Sequence, residues 1–274
     1  TGETEHRAKD IIYQSVNAIT EGTLSGLKDP ELGILMRIHS QTMHERFEEL
    51  NRRLFPEQMF SFQHLCSVNE QWLKETLSNK IRSKTRLGQV LCPGDSQVVL
   101  TRTALIKQFS DDLSTLPEGG VIVVTGAEGN GKSWLVAQHW LSVPVKPLTA
   151  FIRAEDIEEP CNDIAAVVIN ALCRSCQGDL SLHTKFWHEQ FRTWSDSEKR
   201  PACGLIVILD GINQRPAIRW AHFIDRLSEF LQCLGGKLIV TSRKHYFTQN
   251  VESRLATPVI KRPVPEWSAE ERDS

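Results

Sequence analysis

Short apolar runs alternate with amphipathic stretches from about residue 97 onward, and that alternation sets the expected architecture. Apolar runs at 121–124, 148–152, 205–209 and 237–241, with a brief one at 98–100, read as buried strands. Between them apolar positions recur at helical spacing. Leu105, Ile106, Phe109 and Leu113 follow Thr101, a suitable N-cap, and further helical patterns cover about 134–141, 164–176, 182–194 and 220–234. Strands alternating with helices predict an α/β fold, a parallel sheet wrapped by helices. In such sheets ligand-binding loops gather at the carboxyl ends of the strands.

The first third of the chain reads differently. Residues 1–56 carry no strand-like run, and Met36, Ser40, Met43, Phe47, Leu50 and Leu54 recur at spacings of four and three. Charged residues (Glu45, Arg46, Glu48, Glu49, Arg52 and Arg53) fill the flanks, and Ser40 interrupts the short heptad pattern. An oligomerising helix and an amphipathic helix packed on its own domain fit equally well. Pro56 ends it. Residues 57–95 then form a connecting segment. Phe60, Phe62 and Leu65 suggest an apolar strand or turn, and Asn69 is placed to cap a helix bearing Trp72, Leu73 and Leu77. Lys80, Arg82, Lys84 and Arg86 alternate with less polar residues, but lack interleaved aromatics and have acidic neighbours. That describes a solvated face better than a nucleic-acid strip. The turn Cys92-Pro-Gly-Asp95 marks the expected boundary to a core at 96–274.

Composition narrows this only slightly. The 274 residues carry a net charge of −2, with 40% hydrophobic and 24% charged positions, which is ordinary for a globular protein. The balance gives no global electrostatic case for nucleic acid or a membrane, and no apolar run is long enough for a span. Seven scattered cysteines, an odd number, fit a reducing cytoplasm. Cys173-Arg-Ser-Cys176 lacks a second pair and reads as two thiols on a helix rather than a metal or redox site. A Thr start, and a stop just after a new helix begins, suggest a piece of a longer protein.

The chemistry sits at 121–133, where an apolar strand runs into Gly126-Ala-Glu-Gly-Asn-Gly-Lys-Ser133. Gly126, Gly131, Lys132 and Ser133 match the phosphate-loop pattern G-x-x-x-x-G-K-[ST]. Backbone N–H groups of the loop, through Glu128, Gly129, Asn130 and Gly131 to Trp134, would converge on phosphate oxygens. Lys132 would set a cation against the β/γ-phosphates, and Ser133 would offer a hydroxyl to Mg²⁺. The apolar run ending in Asp210, 78 positions after Lys132, supplies a second Mg²⁺ contact. A further run ends in Thr241, Ser242 and Arg243, so that Arg243 is placed to report a γ-phosphate.

Together these motifs resemble the STAND class of P-loop NTPases, the NACHT and AP-ATPase signalling proteins, and most of all their bacterial antiviral members. The resemblance covers roughly 97–274. It implies that Leu100 and Arg102, in Val98-Val-Leu-Thr-Arg102, contact adenine, and that Asp210-Gly-Ile-Asn213 is the second motif with Arg243 as sensor. It assigns 259–268 to the strand and helix start that close the core, with Ser268 and Glu271 as a capping box. It further implies ATP and Mg²⁺ as cofactors, a homo-oligomer on activation, a pathogen-derived protein trigger read by a C-terminal sensor, an N-terminal effector, and a cytoplasmic role in antiviral defence. In one respect the sequence departs from the family. Where NACHT proteins place acidic residues three and four positions after the metal aspartate, it has Asn213 and Gln214. An amide can hold a water but cannot take its proton, so slow hydrolysis is expected. Two rivals are an AAA+-like ATPase acting on nucleic acid or remodelling proteins, and a small-molecule kinase. The kinase would need an arginine-rich lid, where 212–220 holds only Arg215 and Arg219.

Overall fold

The alternating pattern folds as a five-stranded, wholly parallel sheet in the order β2-β3-β4-β1-β5. The strands are β1 (Val121–Gly126), β2 (Leu148–Arg153), β3 (Leu205–Asp210), β4 (Gly236–Arg243) and β5 (Val259–Pro263). In this computed structural model the residues described are 62–91, 102–158, 163–176, 180–200 and 204–267. The expectations for 1–56, for the strand at 98–100, for the turn at 92–95 and for the capping box at Ser268 lie outside them. Eight helices complete the described residues: α1 (Phe62–Ser78), α2 (Lys80–Leu87), α3 (Thr103–Thr115), α4 (Lys132–Ser142), α5 (Ile164–Cys176), α6 (Leu180–Trp194), α7 (Trp220–Leu234) and α8 (Lys244–Asn250).

The strands read as continuous apolar runs because helices cover both faces of the sheet. In β1, Val121 and Val123 face one core with α5, α6 and α7, while Ile122 and Val124 face a second core with α3 and α4. All four are fully buried. This period-2 division, repeated along β3 and β4, fixes the register.

Residues 62–91 depart from expectation. Phe62 and Leu65 lie in α1 rather than in a strand or turn, and Asn69 sits in mid-helix instead of capping one. The reason is that α1 serves both cores: Leu65 enters the first, whereas Trp72, Leu73 and Leu77 enter the second. Such a helix runs along the sheet's β2 edge and buries residues on two sides, so no single apolar stripe announces it. Asn69, between the two sets, caps the edge strand itself. Its Oδ1 accepts from Thr149 N–H (3.1 Å), and its Nδ2 donates to Thr149 O (3.0 Å) and to Ser175 Oγ (2.7 Å). The side-chain amide therefore pairs the strand's outward peptide as a neighbouring strand would.

The alternating Lys80–Arg86 stretch also folds as a helix. Asn79 caps α2 by accepting from Arg82 N–H (3.0 Å), and Ser83 and Leu87 are buried one turn apart. Arg82 pairs with Glu75, and Arg86 turns inward over Trp72 and donates to Trp72 O and Thr76 Oγ1. Helix α3 starts at Thr103 with Arg102 at the cap position and no cap from the Arg102 side chain; Thr101, expected to cap it, lies outside the described residues. Cys173 and Cys176 are buried thiols on α5, and burial pushes the Cys176 thiol up to about 12. Among the described residues no cluster could hold a metal through His, Cys, Asp and Glu, and no helix is long and apolar enough to cross a membrane.

Asn69→Leu should leave Thr149's peptide unpaired and take a donor from Ser175, at a cost of about 1–3 kcal/mol, read as a lowered urea midpoint at unchanged m-value. A second expectation concerns acid. His139 on α4 is buried edge-on against Phe109 (5.0 Å), with no partner for Nδ1. Burial, aided by Lys146, lowers its pKa to about 4. The unfolded ring takes up its proton near pH 6.5, so between those values the unfolded state binds more protons and stability falls on acidification. His139→Leu should flatten that slope between pH 6.5 and 4 in denaturation series.

Candidate functional site

Strand order brings the chemistry together. β4 lies between β1 and β3, so the loop after β1 and Asp210 at the end of β3 meet across the end of β4. The loop turns through left-handed backbone at Gly129 (φ 78°) and Gly131 (φ 82°), which suits glycine. Gly126 is required for a different reason. A Cβ there would lie 2.8 Å from the Val264 carbonyl, a backbone atom that cannot yield.

The stretch that follows β5 braces the loop from outside. Asn130 Nδ2 donates to Val264 O (3.1 Å), Val264 N–H donates to Thr125 O (2.6 Å), and Trp267 Nε1 donates to Gly129 O (3.3 Å). Arg102 holds that brace. Its guanidinium donates to the carbonyls of Pro265 and Glu266, both at 2.9 Å, and stacks over the Trp267 ring at 4.1 Å. Arg102 is thus placed as a backbone clamp beside the loop, committed to carbonyls and an indole. Trp134 lies 6.1 Å from Trp267, ring to ring. Leu100 lies outside the described residues.

Inside the loop Lys132 reaches across it, donating from Nζ to Ala127 O (2.7 Å). Burial, the largest influence, lowers the ammonium's pKa; Asp210 and Glu128 oppose this, and Arg243 adds to it. A desolvated cation at the mouth of converging N–H groups is a strong anion site.

Asp210 is the hub. It is buried, and its Oδ1 accepts from Ser133 Oγ (2.6 Å) and Thr241 Oγ1 (2.7 Å), while Oδ2 accepts from Gln89 Nε2. Thr241's hydroxyl in turn accepts from Gly211 N–H (2.8 Å), which fixes its proton toward the carboxylate. Arg153, paired in register with Asp210, is held by Asp156, which also takes Arg174. The Ser133 hydroxyl beside the Asp210 carboxylate is a pair of hard oxygen donors. Mg²⁺ typically takes one or two such protein oxygens and completes its shell with phosphates and water, so the residues fit it.

Arg243, at the end of β4, reaches back to the loop and pairs through Nη2 with Glu128. Its backbone N–H donates to Asn213 Oδ1 (3.0 Å), in the short turn after Gly211. Asn213's carbonyl oxygen is therefore used to hold the end of β4. Lys132, Ser133, Asp210, Glu128, Arg243 and Asn213 are brought together at the carboxyl end of the sheet, and Gln214 is exposed beside them. Three contributors escaped the sequence reading. Thr241 was visible as a polar strand end, but its bond to Asp210 was not. Gln89 and Trp267 carry no local signal at all.

No family model matches the sequence, and no curated protein does. Among solved structures the chain is similar to Cdc6p from Pyrobaculum aerophilum, with 15% identity and a TM-score of 0.41 over 63% of this chain and 48% of that one. It is also similar to AMPPCP-bound DnaA from Aquifex aeolicus, with 15% identity and a TM-score of 0.34 over 65% and 50%. The chain spans about half the length of these structures. The parallel sheet, the glycine loop entering α4 and the strand-end aspartate make this a P-loop NTPase fold.

Thr241→Val keeps shape but removes a donor to Asp210 and strands the Gly211 N–H. It should cost about 1–3 kcal/mol in chemical denaturation, with Thr241→Ser restoring most of it.

Proposed function

We propose that the chain is the ATP·Mg²⁺-binding core of a signalling switch of the STAND class. The observation that carries this is the ion pair between Arg243 and Glu128, a carboxylate of the phosphate loop itself. A γ-phosphate reaching the same guanidinium competes with Glu128. Arg243 would then exchange a single internal carboxylate for a more highly charged ligand, pulling on the end of β4. In this reading Lys132 and the loop N–H groups hold the phosphates, and Ser133 and Asp210 hold the metal, which supplies charge neutralisation between β- and γ-oxygens. Adenine contacts fall to Leu100, with Arg102 contributing as the clamp of the loop's brace. Asn213 gives its oxygen to the Arg243 backbone and offers no carboxylate, so the bound nucleotide is read more than consumed.

The finer parts rest on the family resemblance. They are assembly into a homo-oligomer, a pathogen-derived protein sensed by a C-terminal region, an effector on the N-terminal side, and a cytoplasmic antiviral role. The domain division proposed is an oligomerising or linking segment at 1–56, a connection at 57–95 and the NTPase core at 96–274. The rival, an ATPase acting on nucleic acid, draws on helix α2. There Lys80 and Lys84 are exposed, but Arg82 pairs with Glu75 and Arg86 is turned onto Trp72. A basic groove would show as steep salt dependence of DNA binding.

Calorimetric titration with ATP and Mg²⁺ should show binding that Lys132→Ala weakens by about 10- to 100-fold, the worth of a hydrogen-bonded charge. Mass photometry of the intact protein with ATP and its trigger should show assembly that the same variant loses. Equal affinity in the variant, or turnover as fast as a motor ATPase, would overturn this reading.

A further inference from the structure

Asp210 has two oxygens with different partners. Oδ1 takes the Ser133 and Thr241 hydroxyls, from the elements that build the phosphate site. Oδ2 takes Gln89 Nε2, from a stretch 121 residues earlier that lies outside the glycine loop and the strand ends. The Ser133 contact is compatible with a metal, because the hydroxyl can give its proton to Asp210 while offering a lone pair to Mg²⁺. The Gln89 contact competes with one. A metal-bound water would donate to Oδ2, where the glutamine amide already takes one of the two acceptor positions.

We propose that Gln89 is a latch displaced by the metal, coupling Mg²⁺·nucleotide at Asp210 to the helical hairpin α1–α2. This rests on the nucleotide-binding reading above. The latch is built, not incidental. Gly88 closes α2 in left-handed backbone (φ 70°), donating from N–H to Lys84 O (3.0 Å), and so swings Gln89 toward the sheet. A side chain at Gly88 would meet Arg153 Nη1 at 2.6 Å. Buried Ser83 then fastens the turn from both sides, donating to Gln89 O (2.8 Å) and accepting from Leu91 N–H (2.9 Å). Leu91 is itself buried in the core shared with α3 and α4.

The other end of the lever is equally firm. Arg86 ties α2 to α1 through Trp72 O and Thr76 Oγ1, and Arg82 pairs with Glu75. A change at Gln89 therefore reaches α1 as a displacement of a braced pair rather than as a side-chain flip. α1 follows directly on residues 1–61. Coupling of this kind is reciprocal: holding the hairpin down weakens metal binding by the factor with which the metal releases it.

The test uses the full chain in two measurements. Affinity for ATP is titrated with Mg²⁺ and with EDTA, for wild type and Gln89→Ala. Loss of one hydrogen bond to a carboxylate should raise the Mg²⁺-dependent gain in affinity by about tenfold, with affinity in EDTA unchanged. Hydrogen exchange on the wild type needs no variant: amides of residues 88–91 should exchange at least about fivefold faster with Mg²⁺·ATP than with ATP in EDTA. An unchanged or smaller metal gain in Gln89→Ala overturns the latch, as do equal exchange rates in the two conditions. Wild-type protein that binds ATP in neither condition overturns the nucleotide reading beneath it.

Discussion

A single buried carboxylate holds the upper end of this sheet together. Asp210 ends β3, and its neighbours come from three other places: the loop after β1, the end of β4, and the turn after α2. Burying a charge without partners is expensive, so the position tolerates Asp only because hydroxyl and amide donors are already aimed at it. Those donors are neutral. They satisfy the carboxylate without cancelling its charge, and it stays attractive to a cation. The same arrangement that lets the strand ends pack together is thus what makes the site receptive to a metal.

Strand order explains why the partners can converge. With β4 between β1 and β3, the Thr241 hydroxyl meets Asp210 Oδ1 beside that of Ser133, and Arg243 emerges where it can reach the loop. Had β1 and β3 been neighbours, β4 would have lain to one side, away from the pair formed by Ser133 and Asp210. Thr241 is the joint: its hydroxyl receives from Gly211 and gives to Asp210, so the turn carrying Asn213 and the buried carboxylate share one hydroxyl.

The core and the loop were legible because their signals are local. The apolar runs of β1, β3 and β4 are contiguous, and Gly126 to Ser133 is a spacing pattern. What escaped was encoded between distant residues. Helix α1 was misread because it faces two cores, so its buried positions do not form one stripe. Asn69 resembled a cap because a polar residue interrupts the apolar set, when in fact it pairs with the edge strand at Thr149. The alternation of Lys80 to Arg86 read as a solvated face and hid the burial of Ser83 and Leu87, one helical turn apart. Arg102 stood at the right place in the chain, but its guanidinium is spent on Pro265, Glu266 and Trp267. Gln89 is a lone glutamine whose meaning exists only once Asp210 is folded beside it.

The indole of Trp267 fixes one peptide plane of the phosphate loop by holding the Gly129 carbonyl outward. The N–H on the other side of that plane, Asn130's, is then turned away from Trp267 before any anion arrives. Conformational freedom in the loop is surrendered during folding instead of on binding. On the nucleotide-binding reading proposed above, a rigid cradle of this kind would grip any polyphosphate tail by much the same amount, since little rearrangement remains to be won or lost. Discrimination between di- and triphosphate would then fall to the charged groups at the end of β4, and the tryptophan would shift the burden of selectivity there from the loop's backbone.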